Sequence, residues 1–160
     1  MFDKKKHKMK LSNEDAVNYF SDTVYRVAIN ILKNDADAQD VFQDVFLRFI
    51  KNKKKFESPE HAKAWFIKVT INCSRDFFRK QKYHEELDAA LHISTVDAYD
   101  HGMTALVQSL NENYRIAIHL FYYEQYKISE IADLLQQNEN TIKTWLARSK
   151  KILKEKWENN

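Results

Sequence analysis

Residues 128–153 read ISEIADLLQQNENTIKTWLARSKKIL. Ile131, Leu134 and Leu135 form the apolar side of a helix only about two turns long. Gln136 to Asn138 break it, and Asn138 suits the cap of a second helix. In that helix Ile142, Leu146, Ser149 and Leu153 share one face. At about 100° per residue, Asn140, Lys143, Thr144 and Arg148 point broadly the other way. A short helix, a tight turn and a helix with a polar, basic outer face match the helix-turn-helix plan. Its second helix lies in a major groove, with N-terminal residues on base edges and basic residues on phosphates. An ordinary helical hairpin with a solvated basic face carries the same pattern, and the pattern alone does not choose between the two.

Upstream, the chain continues in helices. Its 160 residues allow one ordinary domain or two small ones, and a single Gly and a single Pro are too few turn residues for a sheet-rich fold. Ser12 and Asp15 begin a first helix in a capping-box pattern, and Val17, Phe20, Val24, Val27 and Ile31 recur at helical spacing. A second helix, about residues 35–51, turns Ala38, Val41, Phe42, Val45, Phe46 and Phe49 inward. Ser58 before Pro59 opens a third, to about residue 82, with Ala62, Trp65, Phe66, Val69, Cys73 and Phe77 inward. Three such helices can close a small core. Residues 84–104 contain the only glycine and no sustained apolar period, and read as a linker. A short helix then ends near Leu110, and another spans about residues 112–124, with Ile116, Leu120 and Tyr123 on one side. The expected fold is all-α: a basic tail (1–11), a helical module (12–83), an acidic linker (84–104) and a second helical module (105–157).

Net charge is only +3, but its distribution is uneven. Residues 4–10 hold five lysines, residues 84–104 hold five acids and no Lys or Arg, and residues 143–156 hold six basic residues against Glu155. Basic blocks on either side of an acidic one suit a polyanion met at more than one place, or plain solvated surface. The lone Cys73 excludes an internal disulfide, and no thiolate or His spacing suggests a metal, so a reducing compartment without cofactors is expected. No apolar run reaches the roughly 18 residues of a membrane span. The expected location is the cytoplasm, with no membrane insertion and no small-molecule substrate.

EIADLLQQNENTIKTWLARSKKILKE (130–155) resembles region 4 of the bacterial sigma-70 family, in its extracytoplasmic-function (group IV) branch. DAQDVFQDVFLRF (37–49) resembles region 2.2 of that branch, and AWFIKVTINCSRDFFRK (64–80) resembles its regions 2.3 and 2.4. The order, region 2, short linker, region 4, is the branch's own. The resemblance implies a protein that binds core RNA polymerase and carries it to promoter DNA, with an anti-sigma factor as a further partner. It assigns Asp37, Asp40, Asp44 and Arg48 to the polymerase surface. It assigns Lys63, Lys68, Arg75, Arg79 and Lys80 to phosphates at the minus-10 element and Asn72 to a flipped base there. Phe56, in the loop before the third helix, stands either as a base-stacking aromatic or as core. Asn138, Glu139, Asn140, Lys143, Thr144 and Arg148 fall to the minus-35 element.

The sequence also departs from the branch. Gln136 stands where the turn usually has Gly. Lys127 stands where a Ser or Thr cap is frequent, which leaves Ser129 as a later cap. Ile71 and Trp145 occupy positions where Arg is common. At about 70° from the centre of the apolar face, Trp145 is expected to brace its helix together with Ile152, although a Trp there could also touch DNA. A stand-alone helix-turn-helix regulator is the alternative function. An enzyme lacks support, since no triad or metal cluster appears and His119 reads as a helix-surface or core histidine.

Overall fold

The computed structural model describes residues 8–87 and 102–160, with side chains for 8–82 and 102–160; the basic tail before residue 8 and linker residues 88–101 lie outside the described residues. Ser12 caps α1 (Asn13–Leu32), accepting from the Asp15 N–H at 3.0 Å. Lys33, at φ 56°, turns the chain out of α1, and Asn34 caps α2 (Asp35–Asn52), accepting from the Asp37 N–H at 3.0 Å. Ser58 then accepts from the His61 N–H at 3.1 Å at the start of α3 (Pro59–Leu87). This last helix runs to Leu87, past the limit near residue 82 that its apolar period suggested.

Before α3 the chain makes an unexpected ribbon. β1 (Met9–Lys10) pairs antiparallel with β2 (Lys55–Phe56), with Met9 opposite Phe56. That pairing fixes Phe56 beneath α3, fully buried, with its ring 6.3 Å from Phe49 and 5.8 Å from Trp65. Phe56 is therefore core and not a base-stacking platform. Phe20, Phe46 and Phe49 pack on Phe66 with ring centroids 4.7 to 5.4 Å away. Each such aromatic pair adds about 0.5–1.5 kcal/mol beyond its area burial. Val17, expected inward, does not join them: near the start of α1 it is 44% exposed.

The second module starts with α4 (Met103–Gln108) and α5 (Glu112–Ile118), the latter capped by Asn111, which accepts from the Tyr114 N–H at 3.0 Å. α5 runs directly into one π-helical stretch, His119–Tyr123. Its wider i→i+5 turn shifts the register, so Leu120 stays buried while Tyr123, expected on the same side, points outward. α6 (Ile128–Leu135) begins at Lys127, whose N–H donates to the Glu130 carboxylate at 2.8 Å. Ser129 lies within this first turn and is not the cap.

Gln136 ends α6 in the left-handed conformation, φ 54° and ψ 45°, and the Gln137 N–H donates back to Ala132 O at 2.9 Å. A side chain in that conformation costs about 1–2 kcal/mol, which glycine avoids. The turn nonetheless closes, and Asn138 caps α7 (Glu139–Glu158) by accepting from the Thr141 N–H at 2.8 Å and its hydroxyl at 2.9 Å.

The two modules share a core. Val27 and Ile31 of α1 and Ile67 and Ile71 of α3 join Ile116, Leu120, Ile131 and Leu135 in one apolar cluster. Burying each of these side chains is worth about 1.5–3 kcal/mol. Arg115, 3% exposed, reaches across from α5. Its Nε donates to Asn30 O at 2.5 Å and its Nη2 to Ile31 O at 3.1 Å, while Nη1 donates to Leu110 O at 2.7 Å. A buried cation thus meets the carbonyl end of α1, where the helix dipole favours it.

Candidate nucleic-acid interface

Two helices carry the residues expected to meet DNA. On α7 the apolar stripe forms as read: Ile142, Leu146, Ser149 and Leu153 are all buried. Asn140, Lys143, Thr144 and Arg148 are exposed on the other side, with Asn138 and Glu139 at the helix start. The Asn138 side-chain oxygen is already used in the cap, so only its amide N–H groups remain to donate outward. Trp145 and Ile152 are half-buried and pack on the shared cluster. Ser149 gives its hydroxyl proton to Trp145 O at 2.5 Å, which satisfies a buried polar group within the stripe.

On α3 the picture is divided. Lys68, Asn72, Arg79 and Lys80 are exposed, and Arg79 pairs loosely with Asp76 at 3.5 Å. Lys63 and Arg75 are only partly exposed and look toward the second module. Lys63 Nζ lies 2.8 Å from Glu124 Oε2, and Arg75 Nε lies 3.2 Å from Glu112 Oε1. His119 Nε2 stands 3.4 Å from the other Glu124 oxygen. Burial pushes the Glu124 carboxyl up, but the neighbouring His119 and the Lys63 ammonium outweigh it and hold the carboxyl at about 2. Ile71, at a position where arginine is common in the branch, is 1% exposed in the shared cluster.

Glu112, Arg115 and Glu124 carry no clear signal in the sequence. Glu112 looks like an ordinary acid of a first helical turn. The one local signal for Arg115 is a charge inside the apolar run YRIAIHLF (114–121).

The acidic face of α2 borders α3, where Asp40, Asp44 and Arg48 line a cleft with Cys73, Asp76 and Lys80. Asp40 is exposed, Asp37 is half-buried, and Arg48 meets Asp44 at 3.2 Å one turn away with both side chains 48% exposed. An exposed pair of this kind adds at most about 1 kcal/mol, so the face is a surface feature more than a structural brace. Cys73 lies beneath it. Burial, with Asp44 and Asp76 nearby, pushes its thiol up to about 12 despite the Arg48 charge, so it is no nucleophile at neutral pH. Among the described residues there is no cluster of His, Cys, Asp or Glu suited to a metal ion, and no helix long and apolar enough to cross a membrane.

Residues 16–83 match the Sigma-70 region 2 family, and residues 102–153 match the Sigma-70 region 4 family. The chain is 33% identical to the RNA polymerase sigma factor SigV of Bacillus subtilis (strain 168) over 135 residues, 81% of each chain. The chain belongs to the extracytoplasmic-function branch of the sigma-70 family. A second relative is the ECF RNA polymerase sigma factor SigW of the same organism, 24% identical over 88% of this chain and 86% of that protein. Among solved structures, the sigma factor RpoE of Bartonella quintana, crystallised with the anti-sigma factor NepR, superposes with a TM-score of 0.77 at 19% identity. That match covers 89% of this chain and 94% of the other, so the fold extends over both modules. As a sigma factor, the protein is a transcription-initiation subunit and not a stand-alone regulator.

Proposed function

We propose that this sigma factor binds core RNA polymerase through the α2 face of Asp37, Asp40, Asp44 and Arg48. In that complex α3 reads the minus-10 element and α7 reads the minus-35 element. The observation that carries the reading is the two-sided build of α7. One side is locked into the core by Ile142, Leu146, Ser149 and Leu153, and the other offers Asn140, Lys143, Thr144 and Arg148 to solvent. A helix braced in this way can enter a major groove without losing its packing.

On α3, Lys68, Arg79 and Lys80 supply phosphate contacts and Asn72 offers an amide to a base edge. Lys63 and Arg75 join them once their glutamate partners withdraw. The protein acts in the cytoplasm, where polymerase and promoters are. An anti-sigma factor is the further partner implied by the family. Core polymerase mixed with this protein should start transcripts at discrete sites on the genomic DNA of its own organism. Failure of the protein to bind core polymerase would overturn the reading.

A further inference from the structure

We propose that the groove between α1, α4, the π-helical stretch and the end of α7 binds an amphiphilic anion. Its ligand is a single hydrocarbon chain ending in a carboxylate, with a hydrogen-bond donor beside the charge. N-acylated amino acids have this chemistry. The site uses none of the residues assigned above to polymerase or DNA, so it stands or falls independently of them.

The groove holds about 820 Å³, within the range of roughly 300–1,000 Å³ for small-ligand pockets. Ile29, Val107, Ile118 and Leu153 give it an apolar floor. Arg26, Ile29 and Asn30 share one side of α1, and Lys150, Leu153, Lys154 and Trp157 recur at helical spacing on α7, so each helix presents one stripe. The π-helical stretch supplies another wall. It brings Tyr122 and Tyr123 to the rim, both exposed. Turns of this kind are frequent at functional sites.

Charge and hydrogen bonding choose the occupant. Arg26, Lys150 and Lys154 line the groove, and none of the lining residues among those described is an Asp or Glu. The Arg26 guanidinium lies 4.8 Å from the Tyr123 ring centroid, and Lys150 Nζ lies 5.5 Å from that of Tyr122. Lys154 pairs with the exposed Glu158 at 3.9 Å, a contact weak enough to yield to another anion. Arg26 Nε is buried and makes no hydrogen bond among the described residues. Deeper in the groove, Asn30 is 6% exposed, and its Oδ1 is buried without a hydrogen-bond partner among the described residues, as is Gln108 Oε1. An unmet buried acceptor is costly, and a ligand N–H aimed at it removes that cost. Arg26 and Asn30 stand one helical turn apart, about 5–6 Å. A glycyl head can span them, with its carboxylate at Arg26 and its amide N–H at Asn30. A cationic head would face three like charges.

The test is calorimetric titration of the full chain, without polymerase or DNA, with N-lauroylglycine below its micelle concentration. One equivalent should bind with a Kd of about 0.1 mM or tighter, as the ligand efficiency of molecules this size allows. Dodecyltrimethylammonium, of opposite charge, should bind about 10-fold more weakly or worse. Val107→Trp fills the groove from α4 and should abolish binding. Arg26→Gln with Lys150→Gln should weaken N-lauroylglycine about 10-fold, while the uncharged N-lauroylglycinamide binds parent and variant alike. Equal binding of the cationic amphiphile, unchanged binding by a folded Val107→Trp variant, or equal loss of both acyl ligands in the double variant overturns the proposal. If Val107→Trp does not fold, the double glutamine variant and the cationic amphiphile decide alone. Absence of binding to the parent chain overturns it as well. A parent that sediments as a dimer while Val107→Trp is monomeric overturns it in favour of a second copy of the chain in the groove.

Discussion

Lys63 Nζ sits 2.8 Å from Glu124 Oε2, and the two residues come from different modules. Glu124 is nearly inaccessible, while Lys63 keeps about a third of its side chain in solvent. The pair therefore combines a fixed acid with a movable base, and the lysine is the partner that can be released to another anion.

Glu124 makes the stability of the protein depend on acid. Its carboxyl is held at about 2 against an ordinary 4.5, so its contribution is complete above about pH 4.5 and is lost as pH falls toward 2. Glu124→Gln should lower stability by about 1–3 kcal/mol at neutral pH. In urea titrations the gap between parent and variant should narrow as the pH approaches about 3. A gap that stays constant with pH would show that the charge of Glu124 plays no part.

Asn72 is exposed on α3, away from the buried positions Ile71 and Cys73 on either side of it. Asn72→Ala should keep the melting temperature and core polymerase binding while reducing open-complex formation, which permanganate reactivity of unpaired thymines reports. A fall in melting temperature of several degrees would make Asn72 a structural amide instead.

Lys143 and Arg148 are exposed and make no ion pair among the described residues. Neutral substitution of either should weaken binding to minus-35 duplex across sequences. It should also flatten the dependence of log affinity on log salt by about one unit. An unchanged slope removes that residue from the phosphate contacts.

Trp145 packs on the shared cluster with Ile152. Because it is half-buried, Trp145→Ala should cost about 1–3 kcal/mol, below the roughly 3–5 of a fully buried tryptophan. Trp145→Arg should melt earlier although it restores the residue common in the branch. Normal melting together with tighter minus-35 binding would assign the position to DNA.

The α7 face could be read almost completely from the sequence, because a regular helix turns spacing into geometry and Asn138 announces its start. The Ser12, Asn34, Ser58, Asn111 and Asn138 caps are local for the same reason. Tyr123 leaves the face that its spacing predicts because a π-turn changes the period without a compositional mark. The burial of Phe56 is not legible locally, because the Met9–Lys10 strand that pairs with it lies far away in sequence and is only two residues long. Lys63 and Glu124 are also far apart in the chain, and nothing in either neighbourhood announces the other. The module contact is therefore a tertiary fact, invisible to periodicity.

Arg115 gives α1 an ending that the first module does not own. The carbonyls of Asn30 and Ile31 accept from a guanidinium that belongs to α5. When the second module leaves, those carbonyls pass to water and the last turn of α1 loses a clasp. The length of a helix in one half of the molecule thus becomes a gauge of where the other half is. Fraying at its end, seen as faster amide hydrogen exchange near Lys33, would report docking from inside the first module.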